Sequence, residues 1–244
     1  MTSRVTLATA RRVLRQLRRD RRTLALVFVV PPLLLILFRY VFDEQPVTFD
    51  RVGPPMVGIF PLVSMFLVTS IAMLRERTTG TLERLMSMPL AKLDLLAGYG
   101  IAFALLATVQ ATIASSVAFG LLGLDVEGSI WLVLAFAVLN ALLGMSLGLF
   151  LSAFASTEFQ AVQFMPAVIL PQFLLCGLLV PRDLMAPVLE AVSWALPMTY
   201  AYDGLARAAS GATGARLALD FAVVAATVVA ALALGAATLR RRTA

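Results

Sequence analysis

Long apolar runs separated by short polar stretches fill this chain from end to end. Crossing a hydrocarbon core of roughly 30 Å takes about 20 apolar residues. By that measure the runs near 24–42, 56–74, 95–122, 130–154, 161–180 and 217–239 each read as a membrane span. The third is long enough to tilt or to begin in the interface. The 36 residues 181–216 are too apolar for a free loop. Pro181, Pro187 and Pro197 break them too often for a normal span. Two short helices that re-enter the outer leaflet over 181–211 are predicted there, covered by the outer ends of the first and fifth spans. The expected fold is therefore all-α and polytopic. It has six transmembrane helices and an extracellular re-entrant segment, and residues 1–244 form one domain with no internal repeat.

Ahead of the first span, residues 4–22 alternate differently. Ala10, Val13, Leu14 and Leu17 recur at helical spacing, while Arg11, Arg12, Arg15, Arg18, Arg19 and Arg22 fill the remaining surface. The pattern predicts an amphipathic helix in the headgroup plane with its arginines toward anionic lipid. It can serve as a topology anchor or as a collar that also meets a cytoplasmic partner. The apolar run that follows passes Pro31-Pro32 into Asp43-Glu44, longer than a signal-peptide core and without its small-residue end.

Charge then sets the orientation. Eight basic residues precede Leu24, four more lie at Arg75, Arg77, Arg84 and Lys92, and three at Arg240–Arg242. With six spans and a cytoplasmic N-terminus, these fifteen face inside, against Arg51, Arg182, Arg207 and Arg216 outside. Both termini are expected in the cytoplasm. The composition agrees: 14 % of residues are charged and the mean hydropathy is +0.91, whereas a soluble domain carries about 25 % charged residues. Orientation thus accounts for the net charge of +6, and no nucleic-acid partner is expected. Cys176 is the one cysteine and there is no histidine, so neither an intrachain disulfide nor a metal site is expected.

The loop 75–92 reads RERTTGTLERLMSMPLAK. Gly80 as N-cap with Glu83 at N3 makes half of a capping box, Leu82, Leu85 and Met86 line one face, and Pro89 ends a two-turn helix. Such a helix suits a docking contact, and equally a plain interfacial connector. Inside the spans, Thr108, Thr112, Ser115 and Ser116 share one helical face, and the fourth span carries Asn140 and Gly144-x-x-x-Gly148. Small and hydroxyl residues serve helix packing; a lining for a substrate path is the other reading. Arg39 and Asp43 are spaced as a helix-surface pair. A charge at a span centre costs about 2.5–3.5 kcal/mol on insertion scales, and no span carries one. Ion-driven pumps rely on such residues, so energy is expected to enter from elsewhere.

Taken together, the order of these pieces resembles the type-two ABC exporter permeases of bacteria, the membrane subunits of drug, antibiotic, lipid and polysaccharide exporters. The likeness runs over nearly the whole chain. It is most specific in the run from Glu76 to Leu85 (ERTTGTLERL) followed by Ser87-Met88-Pro89, and in the run from Gly177 through Pro181, Pro187 and Pro197 to Thr199-Tyr200. Met88 departs from the small or aliphatic residue expected there, and Cys176 stands where many relatives have a hydroxyl. The resemblance implies that Arg75, Glu76, Arg77, Gly80, Thr81, Leu82, Glu83, Arg84 and Leu85 form a coupling segment that docks on an ABC ATPase subunit. It implies that Gly177, Pro181, Pro187, Pro197, Thr199 and Tyr200 belong to an outer cap or gate. A second permease half, a copy or a paralogue, is implied as partner, with the bacterial inner membrane as location. The sequence has no G-x-x-x-x-G-K-[ST] loop, so ATP and magnesium are expected on the partner ATPase and no cofactor on this chain.

A rival class rests on Asp203-Gly204-Leu205-Ala206-Arg207, similar to the D-G-x-x-A-R signature of enzymes that transfer phosphatidyl groups to alcohols. The spacing is one residue short and only Asp220 follows, whereas metal-assisted phosphoryl transfer needs clustered carboxylates. A non-transporting membrane scaffold or sensor is the remaining alternative.

Overall fold

A computed structural model describes residues 3–81, 84 and 92–238. Within them the elements are helical: α1 (Ser3–Arg19), α2 (Arg21–Val41), α3 (Pro46–Thr78), α4 (Lys92–Gly120), α5 (Ile130–Leu151), α6 (Glu158–Leu175), α7 (Pro187–Ser193), α8 (Pro197–Ala209) and α9 (Ala215–Ala237), with single 3-10 turns at Ser152–Phe154 and Arg182–Leu184. Among the described residues, five helical stretches are long and apolar enough to cross a membrane: Arg21–Val41, Pro46–Thr78, Ala97–Gly120, Ile130–Phe154 and Ala215–Ala237. The 18 residues of α6 occupy the place of the expected fifth span and stop short of its predicted end. Three glutamines and two prolines dilute the apolar character of α6.

The basic helix and α2 meet at Asp20, whose carboxylate caps α2 by accepting from the Thr23 amide at 3.1 Å and the Thr23 hydroxyl at 2.7 Å. These bonds hold the Asp20 carboxyl below the usual carboxylate range. The apolar stripe of α1 does not face lipid as its pattern predicts. Ala10, Val13 and Leu17 are buried with Thr6 and Thr9, because α1 packs along the start of α4. A Cβ on Gly98 of α4 would run into the Thr9 side chain and the Thr6 carbonyl. The arginine face is left outward: Arg4, Arg11, Arg15, Arg18 and Arg19 are exposed.

Helix α3 is the spine. Its 33 residues span about 50 Å, well beyond the predicted 56–74, because Pro46 starts the helix early at its first turn. That overhang is tied down where the Asp125 amide donates to Asp50 Oδ1 at 3.1 Å. The internal prolines Pro54, Pro55 and Pro61 are accommodated because neighbouring helices cover the backbone they leave unpaired. Along its buried face α3 crosses α5 at small residues. A Cβ on Gly144 would overlap the Leu62 carbonyl, and one on Gly148 the Phe66 carbonyl and the Thr69 hydroxyl. Thr69 in turn donates to its own Met65 carbonyl at 2.7 Å and lies 3.2 Å from the Met145 carbonyl of α5. On this pair rest α4 and α9 along α5, and α2 and α6 along α3.

The short helices α7 and α8 follow α6, at the end of the bundle opposite α1. Prolines start both of them. The sequence places them against the first and fifth spans; instead α8 packs chiefly on α9, α5 and α3, with a smaller contact to α6. Gly204 lets α8 approach, since a Cβ there would enter the Phe136 ring. The loop before α5 tucks under α8 through the Gly128 amide, which donates to Ala209 at 2.8 Å.

The crossing yields a direct test. Gly144→Leu must push two backbones apart and is expected to cost at least the roughly 1–3 kcal/mol typical of overpacking. Gly100→Ala, where nothing lies within 4 Å of the added Cβ, should instead leave stability unchanged or raise it by up to about 1 kcal/mol. Thermal unfolding in mild detergent reads both, and equal melting of the two variants would contradict the crossing.

Candidate functional site

A groove with a volume of about 890 Å³ runs along α3 between α2 and α6. Its walls are apolar side chains such as Val30, Leu34, Phe60, Val63, Leu67 and Ile71. Apart from Ser64 midway along α3, its polar residues gather at one end, where Gln16, Asp20, Thr23, Arg75, Glu76 and Tyr99 form the mouth. Side chains of this kind bind apolar bodies with little directional demand, while the polar rim orients a head.

The mouth is built on one buried carboxylate. Glu76 lies in the last turns of α3 but faces the interior, and its side chain is 10 % exposed. Tyr99 donates to Glu76 Oε2 at 2.8 Å, Gln16 donates to Oε1 at 3.0 Å, and Arg12 reaches Oε2 at 3.3 Å. Arg12 also donates to the Tyr99 hydroxyl and sits 5.5 Å from that ring's centroid. α1, α3 and α4 therefore converge on one acid. One residue earlier, Arg75 points the other way and forms a bidentate pair with Glu158 at 2.7 and 3.0 Å, tying the end of α3 to the start of α6. Its guanidinium holds the Glu158 carboxyl below the ordinary range, so this exposed tie persists at neutral pH and loosens as pH falls through the lowered value.

Beyond the mouth, Gly80 has φ +70° and its amide donates to Arg77, so it closes α3 in the left-handed region. Its carbonyl also accepts from the Arg84 amide at 3.0 Å, the bond expected of a helix starting there. Thr81 is half-buried and Arg84 exposed. Leu82, Glu83 and Leu85 lie outside the described residues.

None of the five residues predicted to line a pathway borders the groove. Thr108 and Thr112 are exposed on α4 and spend their hydroxyls on the Ala104 and Thr108 carbonyls at 2.9 and 2.8 Å. Ser116 is exposed on that helix, and Ser115 is buried on it. Asn140 is buried at the α3–α5–α8 junction, beside Gly58 and Leu205. α4 has no strongly polar face to contrast with its apolar ones, so its hydroxyls carry no sign of what they meet.

At the opposite end the cap is fastened by an ion chain. Arg182 pairs bidentately with Asp203 at 2.7 and 2.9 Å, donates to the Cys176 carbonyl at 2.8 Å, and stacks 4.5 Å from the Trp194 ring centroid. Asp203 also meets Arg207 at 3.4 Å, and Arg207 pairs with Asp220 of α9. Gly177, at φ +101°, turns the chain beside Arg182. Pro181 precedes the 3-10 turn, and Pro187 and Pro197 start α7 and α8. Thr199 donates to the Ser193 carbonyl at 2.6 Å and Tyr200 to the Trp194 carbonyl at 2.8 Å. Asp203 and Arg207, the basis of the phosphatidyl-transfer reading, are thereby engaged as structural ion partners. Sequence spacing points to Asp203–Arg207 as an i,i+4 pair, but nothing in it joins Arg182 or Asp220 to them.

Breaking one member of this chain should be costly. Asp203→Asn leaves Arg182 buried without its counter-ion, and roughly 3–5 kcal/mol of stability should go with it. Replacing both, Arg182→Met with Asp203→Leu, should restore much of that loss. Chemical denaturation of the purified chain measures the difference; a double variant as unstable as the single one would contradict the account.

A groove with an apolar body, a charged mouth at the basic end and a pinned cap at the other is the geometry against which relatives can be compared. The chain is 28 % identical over 152 residues to the probable multidrug ABC transporter permease YbhR of Escherichia coli K12, covering 62 % of this chain and 41 % of that protein. It is 28 % identical over 170 residues to YbhS, a probable multidrug ABC transporter permease of the same organism, covering 69 % and 45 %. With ABC transporter G family member 20 of Dictyostelium discoideum it shares 30 % over 132 residues, 54 % of this chain and 18 % of that one. The match thus spans under half the length of these bacterial relatives. The model of the ABC-2 type transporter family matches residues 4–208, a stretch that takes in α1, the groove, the mouth and the cap through Arg207, and with that match the chain belongs to the ABC-2 type transporter family, as a multi-pass membrane protein.

Proposed function

We propose that this chain is the membrane-spanning permease part of an ATP-powered exporter that moves a hydrophobic or amphiphilic compound, drug-like or lipid-like, out of the cytoplasm. The carrying observation is the apolar groove along α3, whose polar mouth lies at the same end as the turn that leads into the Arg75–Arg84 run. The names of its relatives as multidrug permeases favour the same cargo class. In this reading α6 is the fifth of six crossings, the basic end faces the cytoplasm of a bacterial inner membrane, and the cap faces outward.

A separate ABC ATPase binds ATP and magnesium, and a second permease half completes the pathway. Thr81, Arg84 and the run through Leu85 dock on that ATPase, while Arg75 and Glu76 transmit its movement: Arg75 to α6 through Glu158, Glu76 to α1 and α4 through Arg12 and Tyr99. Nucleotide supplies the differential binding energy that shifts the groove between inward-open and outward-open arrangements. The enzyme alternative has lost its motif to the ion chain, and the scaffold reading leaves the groove without a role.

Filling the groove tests the reading. Leu67→Trp should lower ATP-driven accumulation of a fluorescent amphiphile in inverted vesicles at least tenfold while ATPase association survives. Unchanged export would remove the groove from the pathway. Orientation is tested separately, in a chain with Cys176→Ser. A cysteine at Thr213, exposed near the cap, should react with an impermeant thiol reagent on intact cells. One at Ser156, exposed at the basic end, should react only after permeabilisation. The reverse pattern would invert the topology.

A further inference from the structure

The arginine face of α1 is more than a diffuse positive surface. Arg12, Arg15, Gln16 and Arg19 recur at i, i+3, i+4 and i+7, which puts them on one stripe of the helix. Together with Ala8 they line an open cleft of about 340 Å³ on the surface of α1. Gln16 lines this cleft and also the mouth of the apolar groove. The two spaces therefore adjoin on neighbouring faces of the same helix: a compact cationic recess and, one residue across, the start of a long apolar channel.

The donors of the recess are available. Arg15 and Arg19 are exposed and form no ion pair among the described residues. Arg12 is anchored at the back by Glu76 and Tyr99 and its Nε is buried, so it lends the recess its charge while Arg15 and Arg19 supply the accessible donors. The fold holds Arg12 rigidly and leaves the other two free to close on an anion. Guanidinium groups in such a fork bind the oxygens of a phosphate better than any other side chain. The recess also sits one turn before α2, at the level where the apolar run begins.

We propose that Arg12, Arg15 and Arg19 hold the phosphate headgroup of an acidic phospholipid, or of an amphiphile of the same chemistry, whose acyl chain lies in the groove along α3, the two compartments meeting at Gln16. The proposal deepens the export reading by naming the chemical class of the ligand, and it rests on that reading only for the groove's role in transport. A zwitterionic lipid lacks the net negative charge the recess demands, and a free phosphate leaves the apolar channel unused. The same ligand can be a resident bilayer lipid or the exported cargo.

Equilibrium binding without nucleotide separates this proposal from the export reading. Native mass spectrometry of the purified chain in mild detergent should show phosphatidylglycerol retained at least tenfold over phosphatidylcholine with identical acyl chains. R15A/R19A should lower phosphatidylglycerol retention at least fivefold. R11A/R18A removes the same charge from exposed positions outside the recess and should change it less than twofold. Leu67→Trp should lower retention with the recess intact. Equal loss in the two arginine pairs, equal retention of the two lipids, or unchanged binding in Leu67→Trp would each overturn the proposal. In proteoliposomes with the ATPase partner, ATP-driven movement of labelled phosphatidylglycerol identifies the ligand as cargo. Binding without movement identifies it as a resident lipid, and the site stands in both cases.

Discussion

Helix α3 lies so close to α5 that side chains larger than hydrogen at Gly144 and Gly148 would meet its backbone. In lipid, helices gain nothing from leaving water, so close packing and interhelical polar contacts must hold them together. The α3–α5 crossing supplies both, through the two glycines and the Thr69 hydroxyl reaching the Met145 carbonyl. α2, α4, α6, α8 and α9 all pack directly on that pair. α3 carries one wall of the groove along its length and the mouth at its end. α5, with α9, carries the cap.

Polar chemistry is confined to the two ends of this apolar body, and each end uses it to join segments far apart in sequence. At the basic end Glu76 collects α1, α3 and α4 around one carboxylate. At the cap end Asp203 and Asp220 bind two arginines into a chain that joins the turn after α6 to α8 and α9. Both clusters balance charge locally, which burial requires, since an unpaired ion there would cost several kcal/mol. They differ in what they leave over. In the cap chain each arginine charge meets an aspartate. The mouth passes unspent cationic capacity outward along α1, to Arg15 and Arg19, beside the entrance of the groove.

Much of this was legible in the residues alone. Bilayer-length apolar runs, the basic start, the break after Val180 and the small residues of α5 are read directly because hydropathy and proline act locally. The Arg39–Asp43 pair, at 3.3 Å, follows from helix spacing. The stripe of Ala10, Val13 and Leu17 was equally visible, yet its partner was not: an apolar face says that something covers it, and α4 rather than lipid does so here.

By itself, then, the sequence determined that the chain is a helical membrane protein with its positive charge at one end and a broken, proline-rich segment near the other. The tertiary structure alone decided which polar groups meet, that the α4 hydroxyls turn away from the groove, and that α2, α3 and α6 enclose it. The reason lies in the solvent. A helix in water shows its buried face by contrast with a polar one, whereas α4 and α5 have no strongly polar face to give that contrast. Lipid-facing and protein-facing sides then read alike, and only the packing of one helix on another tells them apart.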